Sequence, residues 1–280
     1  MLRIAVPNKG SLSDPASQLL REAGYKQRRD PRELVLVDQR NEVEFFFLRP
    51  RDVAVYVGAG TVHAGITGRD LLLDSGAKAV ETLELGFGGS TFRYAAPAGQ
   101  ITSIEQIHGK RVATSYPRLV KNHLKSFGVE ANVVRLDGAV ESSVRLGVAD
   151  VVADVVSTGT TLKAAGLEIF GDPLLKSEAI LIRGKGTSDD KIAVITARLR
   201  GVLMARQFVL VDYDVPSANL DAAIAISPGA EAPTVTPLHG KDWHAVRVMI
   251  PRIEMNQIMD QLYAAGARAI LSTELLAVRV

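Results

Sequence analysis

One stretch of the chain decides the fold, and it reads Asp137-Gly-Ala-Val-Glu141-Ser-Ser-Val-Arg-Leu-Gly147-Val-Ala-Asp150-Val-Val-Ala-Asp154-Val-Val-Ser157-Thr-Gly159-Thr-Thr-Leu162. The pattern predicts a helix, then a short buried strand that ends in an acid, then a loop of small hydroxyl residues around one glycine. Paired valines on both sides of Asp154 form the β-branched run that is typical of a strand buried on both faces of a parallel sheet. The stretch therefore indicates an α/β protein.

The loop after this strand, residues 157–161, favours binding of an anion. It offers successive backbone N–H groups, several hydroxyl donors and a glycine without a Cβ, and Leu162 can open a helix directly after it. Such a loop binds phosphate because unsatisfied amides and the helix dipole both point toward it. The alternative is an ordinary helix cap rich in serine and threonine. Two nearby acids, Glu141 and Asp154, favour a sugar phosphate, because sugar hydroxyls need acceptors.

The composition excludes several classes of protein. The chain has 280 residues, a formal net charge of +2 and no cysteine. A nearly balanced charge argues against a nucleic-acid partner, and the absence of cysteine excludes disulfides and thiolate metal sites. No apolar run approaches membrane-spanning length, and the first residues lead directly into a predicted strand. We therefore expect no membrane partner and a cytoplasmic location.

Two successive alternations of strands and helices predict two α/β lobes. Repeated βαβ units indicate parallel sheets wrapped by helices. Strands near residues 91–96 and 178–182 would join the lobes and leave a cleft, which is the usual place for a ligand. The predicted boundaries are residues 1–92 with 178–205 for lobe I, and residues 93–177 for lobe II.

Residues 206–280 have a different pattern. Strands and helices follow the order β-α-β-β-α-β, which is the ferredoxin-like arrangement. A segment of about 75 residues is long enough to be an independent unit. It contains no cluster of catalytic residue types.

Four residues in predicted loops are candidate ligand contacts. Lys9 follows the first predicted strand, where ligands of α/β sheets gather; the alternative is a solvated surface lysine. Arg49 ends the apolar run 45–48, which favours a bidentate anion contact and a structural ion pair equally. Asp70 is either a ligand contact or, by default, a helix cap. Tyr116 is either a stacking face or simple packing.

Common catalytic and metal-binding motifs are absent from the sequence. The histidines at positions 63, 108, 123, 239 and 244 lack the spacing of metal ligands, so we predict no metal site built from side chains. The motifs GxSxG, HExxH, Walker A and GxGxxG are also missing, which argues against the chemistries that they support.

The opening stretch is also similar to a family signature. The spacing Glu141-x5-Gly147-x-Ala149-x2-Val152-x-Asp154-Val155-x2-Thr158-Gly159-x-Thr161-Leu162 resembles the signature of ATP phosphoribosyltransferase, the first enzyme of histidine biosynthesis. The segments Pro7-Asn-Lys-Gly10, Phe45-Phe-Phe-Leu-Arg49 and Thr67-Gly-Arg-Asp70 look like the N-terminal half of that family. Residues 206–280 resemble the regulatory domain of its long form, so the resemblance covers essentially the whole chain.

The resemblance implies a fold and a reaction. The implied fold is α/β, with a two-lobed catalytic part like that of periplasmic binding proteins and a C-terminal ferredoxin-like regulatory domain. The implied reaction joins C1 of phosphoribosyl pyrophosphate to N1 of the ATP adenine and releases pyrophosphate, with Mg²⁺ present. Inhibition by histidine and a homo-oligomer that shifts between dimer and hexamer are implied as well.

The resemblance also implies roles for residues. The catalytic residues would be Glu141, Lys9 and Arg49, with the two cations meeting pyrophosphate or triphosphate oxygens. Asp154 would accept from ribose hydroxyls, as would Glu141, while Asp70 and Tyr116 would position the nucleotide. Mg²⁺ would bridge phosphates more than side chains. The 5-phosphate would be held by Ser157, Thr158, Gly159, Thr160, Thr161 and Leu162.

The effector residues are predicted less directly. Asp214 and Thr234 lie at the ends of predicted strands, and Ala269 opens the last predicted strand. A carboxylate could pair with the amino group or imidazole of histidine, and a hydroxyl could hold its carboxylate. The alternative for Asp214, before Val215 and Pro216, is a turn.

Two other functions share a two-lobed cleft. A solute-binding protein or effector domain would need an export signal or a DNA-binding helix pair, and neither is visible in the sequence. An enzyme like prephenate dehydratase also joins a two-lobed catalytic part to an amino-acid sensor. The function of such an enzyme would not explain the serine- and threonine-rich loop at residues 157–161. The Thr-Arg-Phe run that is characteristic of that enzyme is also missing.

Overall fold

The computed structural model of the chain describes residues 1–156 and 159–279. Its contacts divide the chain into two compact units, Met1–Arg21 with Tyr25–Thr196, and Glu22–Gly24 with Ala197–Val280. Within the described ranges, no helix combines the length and the apolar character that a membrane span requires.

The strands of the described residues lie in three sheets. They are β1 (Leu2–Pro7), β2 (Val35–Asp38), β3 (Val43–Leu48), β4 (Ala64–Gly68), β5 (Ala79–Glu84), β6 (Ser90–Pro97), β7 (Arg111–Thr114), β8 (Asn132–Arg135), β9 (Val151–Val156), β10 (Leu167–Ser177), β11 (Ala179–Gly184), β12 (Phe208–Pro216), β13 (Thr234–Pro237), β14 (Trp243–Pro251) and β15 (Arg268–Glu274).

The α-helices of the described residues alternate with these strands. They are α1 (Ser13–Glu22), α2 (Pro50–Gly58), α3 (Arg69–Ser75), α4 (Pro117–Ser126), α5 (Ser142–Arg145), α6 (Thr160–Ala164), α7 (Asp189–Gln207), α8 (Leu220–Ile226) and α9 (Met255–Ala264).

The first sheet belongs to lobe I and has the order β2-β3-β1-β4-β11-β5. Strands β3, β1 and β4 are mutually parallel, so their carboxyl ends meet at one edge of the sheet. All five residues of β4 are buried. A Cβ on Gly65 would meet Val53 and the Cβ of Ala5, so glycine allows β4 and α2 to pack this closely.

The second sheet forms lobe II and has the order β10-β6-β9-β7-β8. Strands β8, β7 and β9 are parallel, whereas β6 is antiparallel to both β9 and β10. Its core includes Phe92, Tyr94 and Val120, each 0% exposed. The chain therefore enters lobe II at β6 and returns to lobe I at β11. The predicted two-lobed α/β fold class is confirmed.

The structure corrects four details of the sequence prediction. The acid Asp154 is the fourth of six residues in β9 and does not end the strand. The helix before β9 is a single turn, α5. Strands β5 and β10 were not predicted. Strand β10 contains Gly171 and Pro173, and its pairing with β6 shifts register between Phe170 and Leu175. It lies at the sheet edge, where proline and a bulge are tolerated.

The C-terminal unit contains one antiparallel sheet with the order β13-β14-β12-β15. Together with α8 and α9, this order is the ferredoxin-like arrangement, as predicted. Alternate residues of β12 are buried, among them Val211 and Tyr213, because one face of the sheet packs on its core. The hydroxyl of buried Tyr213 bonds to that of Ser227 at 3.0 Å.

Candidate functional site

A cavity of about 860 Å³ lies at the carboxyl ends of β1, β3 and β4. Lys9 follows β1, Arg49 follows β3, and Asp70 follows β4. Tyr116 follows β7 of lobe II, so both lobes contribute to the lining. The structure thus brings four predicted residues together around one cavity. Further lining residues include Ser11, Arg51, Asp52, Ser90, Arg135, Asp137, Val155 and Ser177.

Asp70 is a buried acid that lines this cavity. Its Oδ1 accepts from the hydroxyl of Ser177 at 2.8 Å, and its own amide donates to the same hydroxyl oxygen at 3.1 Å. A Cβ on Gly68 would strike the Asp70 carboxylate, so glycine makes room for the acid. Asp70 lies in the first turn of α3, where the helix dipole favours a negative charge, but its carboxylate also turns to partners outside the helix.

Tyr116 directly precedes α4, and its ring is held on two sides. The ring of Phe92 packs edge to face against it with centroids 5.1 Å apart, and the Arg51 guanidinium carbon lies 4.8 Å from its centroid. Burial, and then the neighbouring Asp70 carboxylate to which the phenol is hydrogen-bonded, raise the pKa of the Tyr116 hydroxyl. The hydroxyl is therefore a neutral donor at physiological pH.

Arg51 and Ser177 are among the lining residues that were not predicted from the sequence, and neither was Asp74, which pairs with Arg51 but does not line the cavity. Arg51 Nη1 is 2.9 Å from Asp74 Oδ2. The one available signal was the position of Arg51, two residues after Arg49 in the first turn of a helix that opens with Pro50. Asp74 and Ser177 gave no comparable signal, because their partners are far away in the sequence.

Lys9 and Arg49 are exposed residues on the cavity lining. Arg49 precedes Pro50, the first residue of α2, and its backbone carbonyl accepts from the amide of Asp52 at 2.8 Å. The cavity lining combines the cations of Lys9, Arg49, Arg51 and Arg135 with the carboxylates of Asp52, Asp70 and Asp137. This mixture suits a ligand that carries both phosphates and hydroxyls.

Asp154 is half-buried on β9, next to the lining residue Val155. Its Oδ1 accepts from the amide of Val155 at 2.8 Å. Burial first, and then the negative charges of Glu141 and Asp70, raise the pKa of the Asp154 carboxyl, which the backbone hydrogen bond and Arg51 only partly oppose. The three predicted acids therefore lie in one electrostatic neighbourhood. Glu141 precedes the one-turn α5, and its side chain makes no capping bond to that helix.

The predicted phosphate loop is described only in part, because Ser157 and Thr158 lie outside the described residues. Gly159 caps α6 in the left-handed region, with φ of 74°. Thr160 and Thr161 are exposed. Leu162 is 7% exposed and packs into the core of lobe II, so only its backbone is available to a ligand. First-turn amides such as those of Thr161 and Leu162 have no acceptor within their helix.

The three predicted effector residues do not lie side by side. Asp214 on β12 is paired with Arg268 on β15, and the register shifts before the next pair. Ala269 follows Arg268 with φ of 51°, so it lies at this irregularity. Thr234 is on β13, the opposite edge strand of the sheet. Three strand spacings separate it from Ala269, roughly 14 Å.

No metal site can be read from the described residues. Among them, no group of three or more His, Cys, Asp or Glu side chains is arranged to hold a metal ion. The pair Glu141 and Asp154 is compatible with a cation, because burial and then the Glu141 charge raise the pKa of the Asp154 carboxyl, and a cation would oppose both effects. Mg²⁺ is commonly bound by one or two carboxylates together with substrate phosphates.

Comparisons with known proteins agree over the whole chain. A family model described as ATP phosphoribosyltransferase matches residues 49–201, and one described as "HisG, C-terminal domain" matches residues 205–277. Curated proteins named ATP phosphoribosyltransferase from Pseudarthrobacter chlorophenolicus and Bifidobacterium longum strain DJO10A are 61% and 56% identical, each alignment covering 100% of both chains.

A solved structure is similar as well. It is the ATP phosphoribosyl transferase (HisG:HisZ) complex from Thermotoga maritima, with a TM-score of 0.62 and 26% sequence identity. The match covers 71% of this chain and 97% of that chain.

Proposed function

Because the chain belongs to the ATP phosphoribosyltransferase family, we propose that ATP and phosphoribosyl pyrophosphate react in the cavity at the carboxyl ends of β1, β3 and β4. The protein is a pentosyltransferase of histidine biosynthesis: it joins N1 of the ATP adenine to C1 of phosphoribosyl pyrophosphate and releases pyrophosphate. The family assignment removes the two alternatives, a solute-binding protein and a prephenate dehydratase-like enzyme.

One observation carries the placement of the reaction. Four residues that the sequence marks as ligand contacts, Lys9, Arg49, Asp70 and Tyr116, line the same cavity although they follow four different strands. Ligands of open α/β sheets bind at the carboxyl ends of the strands, and the cavity lies there.

The phosphoribosyl group would bind on the lobe II side. Asp154, beside the lining residue Val155, would accept from the ribose hydroxyls together with Glu141. The 5-phosphate would meet the amides and hydroxyls of residues 157–162. Ionised Asp154 is disfavoured by burial, and hydroxyl donors from the ribose would relieve that cost.

The nucleotide would bind beside Tyr116 and Asp70. The Tyr116 hydroxyl is neutral and bonded to Asp70, so the phenol is held in one orientation before ATP arrives. Lys9 and Arg49 are exposed on the lining and would meet pyrophosphate or triphosphate oxygens. Arg51, which was not predicted from the sequence, adds a further cation to the lining.

Alignment of the two substrates is the main catalytic task. The N1 lone pair of adenine is free at neutral pH, so the nucleophile needs no general base. Loss of pyrophosphate leaves positive charge on the ribose, which Glu141 and Asp154 can stabilise while cations neutralise the leaving group. Holding both reactants in line can supply about 7–11 kcal/mol of the barrier.

The residues present are compatible with Mg²⁺, because the Glu141 and Asp154 carboxylates are the groups that could hold it beside the substrates. It would supply neutralisation of the pyrophosphate charge when bound. A cation held there would offset the burial and the nearby Glu141 charge that raise the pKa of the Asp154 carboxyl. We therefore expect activity to require a divalent cation.

The C-terminal unit would bind histidine as an inhibitor, through residues around Asp214, Thr234 and Ala269. Because Thr234 lies on the opposite edge strand from Ala269, histidine would contact only one edge within a single chain. A homo-oligomer of dimers and hexamers would complete such a site between chains. The cytoplasm is the expected location, because ATP and phosphoribosyl pyrophosphate are made there.

The variant Glu141→Gln tests the proposed site. It removes one charge and keeps the shape of the side chain, so we expect a normally folded protein with little turnover. Formation of phosphoribosyl-ATP is measured with ATP, phosphoribosyl pyrophosphate and Mg²⁺, with prephenate as the control substrate. Full turnover in the folded variant would leave Glu141 as an ordinary residue before a short helix and would refute its catalytic role.

A further inference from the structure

We infer that Asp74 is a positioning residue, which fixes Arg51 and the start of α4 so that Arg51 and Tyr116 present a rigid face to the nucleotide. The inference rests on the proposed binding of ATP beside Tyr116. Asp74 is outside the residues that the sequence or the family resemblance marks.

Both carboxylate oxygens of Asp74 accept hydrogen bonds, one from the start of α4 and the other from Arg51. Its side chain, in the last turn of α3, is 7% exposed. Oδ1 accepts from the backbone amides of Arg118 at 2.9 Å and Leu119 at 3.2 Å, and Oδ2 accepts from Arg51 Nη1 at 2.9 Å. A buried carboxylate is costly unless it is paired, and a cation with two helix-start amides provides that pairing.

These bonds hold both the cation that contacts the Tyr116 ring and the helix start that follows Tyr116. Arg51 lies on α2 of lobe I, and its guanidinium carbon is 4.8 Å from the centroid of the Tyr116 ring. The amides of Arg118 and Leu119 belong to the first turn of α4, which Tyr116 directly precedes. One carboxylate of lobe I therefore holds both the cation on the ring and the backbone of lobe II that carries the ring.

The consequence for binding is preorganisation. A guanidinium has five N–H donors in a planar fork, and Asp74 engages only one of its nitrogens. Because Arg51 lines the cavity, its other donors remain available to phosphate oxygens at a fixed position. Without Asp74, Arg51 would gain rotamer freedom, and ATP would have to restrict it on binding.

The variant Asp74→Asn separates the two partners. Asparagine keeps an oxygen for the α4 amides but loses the charge that pairs with Arg51. Steady-state kinetics with Mg²⁺ should show KM for ATP raised about tenfold, as expected for loss of one charged hydrogen bond. KM for phosphoribosyl pyrophosphate should change by less than about twofold, since the variant leaves the lobe II loop intact.

A double-mutant cycle with Arg51→Gln distinguishes positioning from simple support of the fold. If Asp74 acts through Arg51, Asp74→Asn adds nothing to KM for ATP in the Arg51→Gln background. The matched control is Asp150→Asn. Asp150 likewise accepts from a backbone amide and a guanidinium, both of Arg111, at the amino ends of β7 and β9 and away from the cavity. It should lower Tm and leave KM for ATP unchanged.

Three results would overturn the inference. Unchanged KM for ATP in folded Asp74→Asn, or equal penalties from it in both backgrounds, would show that Asp74 only supports the fold. A normal KM for ATP in Arg51→Gln would overturn the placement of the nucleotide, and the inference with it. Should Asp74→Asn fail to fold, Asp74→Ser keeps one acceptor for the helix amides and replaces it in the cycle.

Discussion

The two regions that we propose to bind the nucleotide and the phosphoribosyl group are built in different ways. The nucleotide side (Arg51, Asp70, Asp74, Tyr116 and Ser177) is joined by side-chain hydrogen bonds, an ion pair and a ring contact. The phosphoribosyl side (Glu141, Asp154 and residues 159–162) has exposed threonines, a left-handed glycine and a half-buried acid whose ionisation burial opposes.

The difference indicates which substrate must organise its own site. Side chains on the proposed nucleotide side bond to one another without a ligand, so we expect ATP to meet a preformed surface. On the proposed phosphoribosyl side, the ribose would supply further donors to Asp154, and its phosphate would accept from the loop that leads into α6. Substitutions on the proposed nucleotide side should therefore change KM for ATP. Those on the proposed phosphoribosyl side should change KM for phosphoribosyl pyrophosphate.

Asp154→Asn should have the largest effect. We expect kcat/KM for phosphoribosyl pyrophosphate to fall about 100-fold, because a charged acceptor for the ribose is lost. Tm should rise at pH 7, because the pKa of the Asp154 carboxyl is raised in the folded state and its ionised form there costs stability.

The sign of this stability change gives a pH test. Lowering the pH toward the raised pKa protonates Asp154 in the folded protein and removes the cost, so the Tm difference should shrink on acidification. Calorimetry at several pH values measures it. A lower Tm for Asp154→Asn at pH 7 would mean that Asp154 is part of the preformed structure, like the nucleotide side.

Gly159→Ala should act next most strongly. The residue has φ of 74°, and a left-handed conformation costs a non-glycine residue about 1–2 kcal/mol. We expect KM for phosphoribosyl pyrophosphate to rise about tenfold as the loop shifts, with KM for ATP unchanged. Gly166→Ala, at φ of 75° after α6, is a matched control with similar strain and no expected change in either KM. Equal kinetic effects of both variants would point to general destabilisation.

Tyr116→Phe should have a moderate effect on the other substrate. The ring contacts with Phe92 and Arg51 remain, but the hydrogen bond to Asp70 is lost. The loss of one such bond, about 1 kcal/mol, predicts a rise of about fivefold in KM for ATP. Tyr94→Phe, which removes a buried hydroxyl bonded to His123 in lobe II, is the control and should leave that constant alone.

Thr161→Ala should have the smallest effect. Its side chain is exposed, so a lost hydroxyl contact with the 5-phosphate is worth about 0.5–1.5 kcal/mol. Affinity for phosphoribosyl pyrophosphate, measured by calorimetric titration, should fall a few-fold. Unchanged affinity would argue that the loop binds phosphate through its backbone alone.

The sequence was most informative about candidate site residues that come just after a predicted strand. Lys9, Arg49, Asp70 and Tyr116 could be singled out because each comes directly after a recognisable strand. Asp74 could not, since its partner amides are 44 and 45 residues away, and the bond of Ser177 to Asp70 spans 107 residues. Such pairings depend on how the two lobes pack against each other, and local sequence patterns do not predict that packing.

Strand β10 was missed for a related reason. Gly171 and Pro173 are typical of turns, but here they mark a bulge in an edge strand whose pairing with β6 shifts register. Periodicity predicts strands that pair regularly, as in β1, β3 and β4. It fails where a long strand bends to pass from one sheet toward the next.

The bond between Asp70 and Ser177 has a mechanical consequence. Ser177 ends β10 in the second sheet, and Ala179 begins β11 in the first, so the chain crosses between the lobes at this residue. The bond places the Asp70 carboxylate beside one of the two points where the chain crosses between the lobes, the other being between β5 and β6. If ATP contacts Asp70 as proposed, the binding site adjoins this crossing of the chain between the lobes. Occupancy and lobe angle would then be thermodynamically linked, each biasing the other by the same free energy.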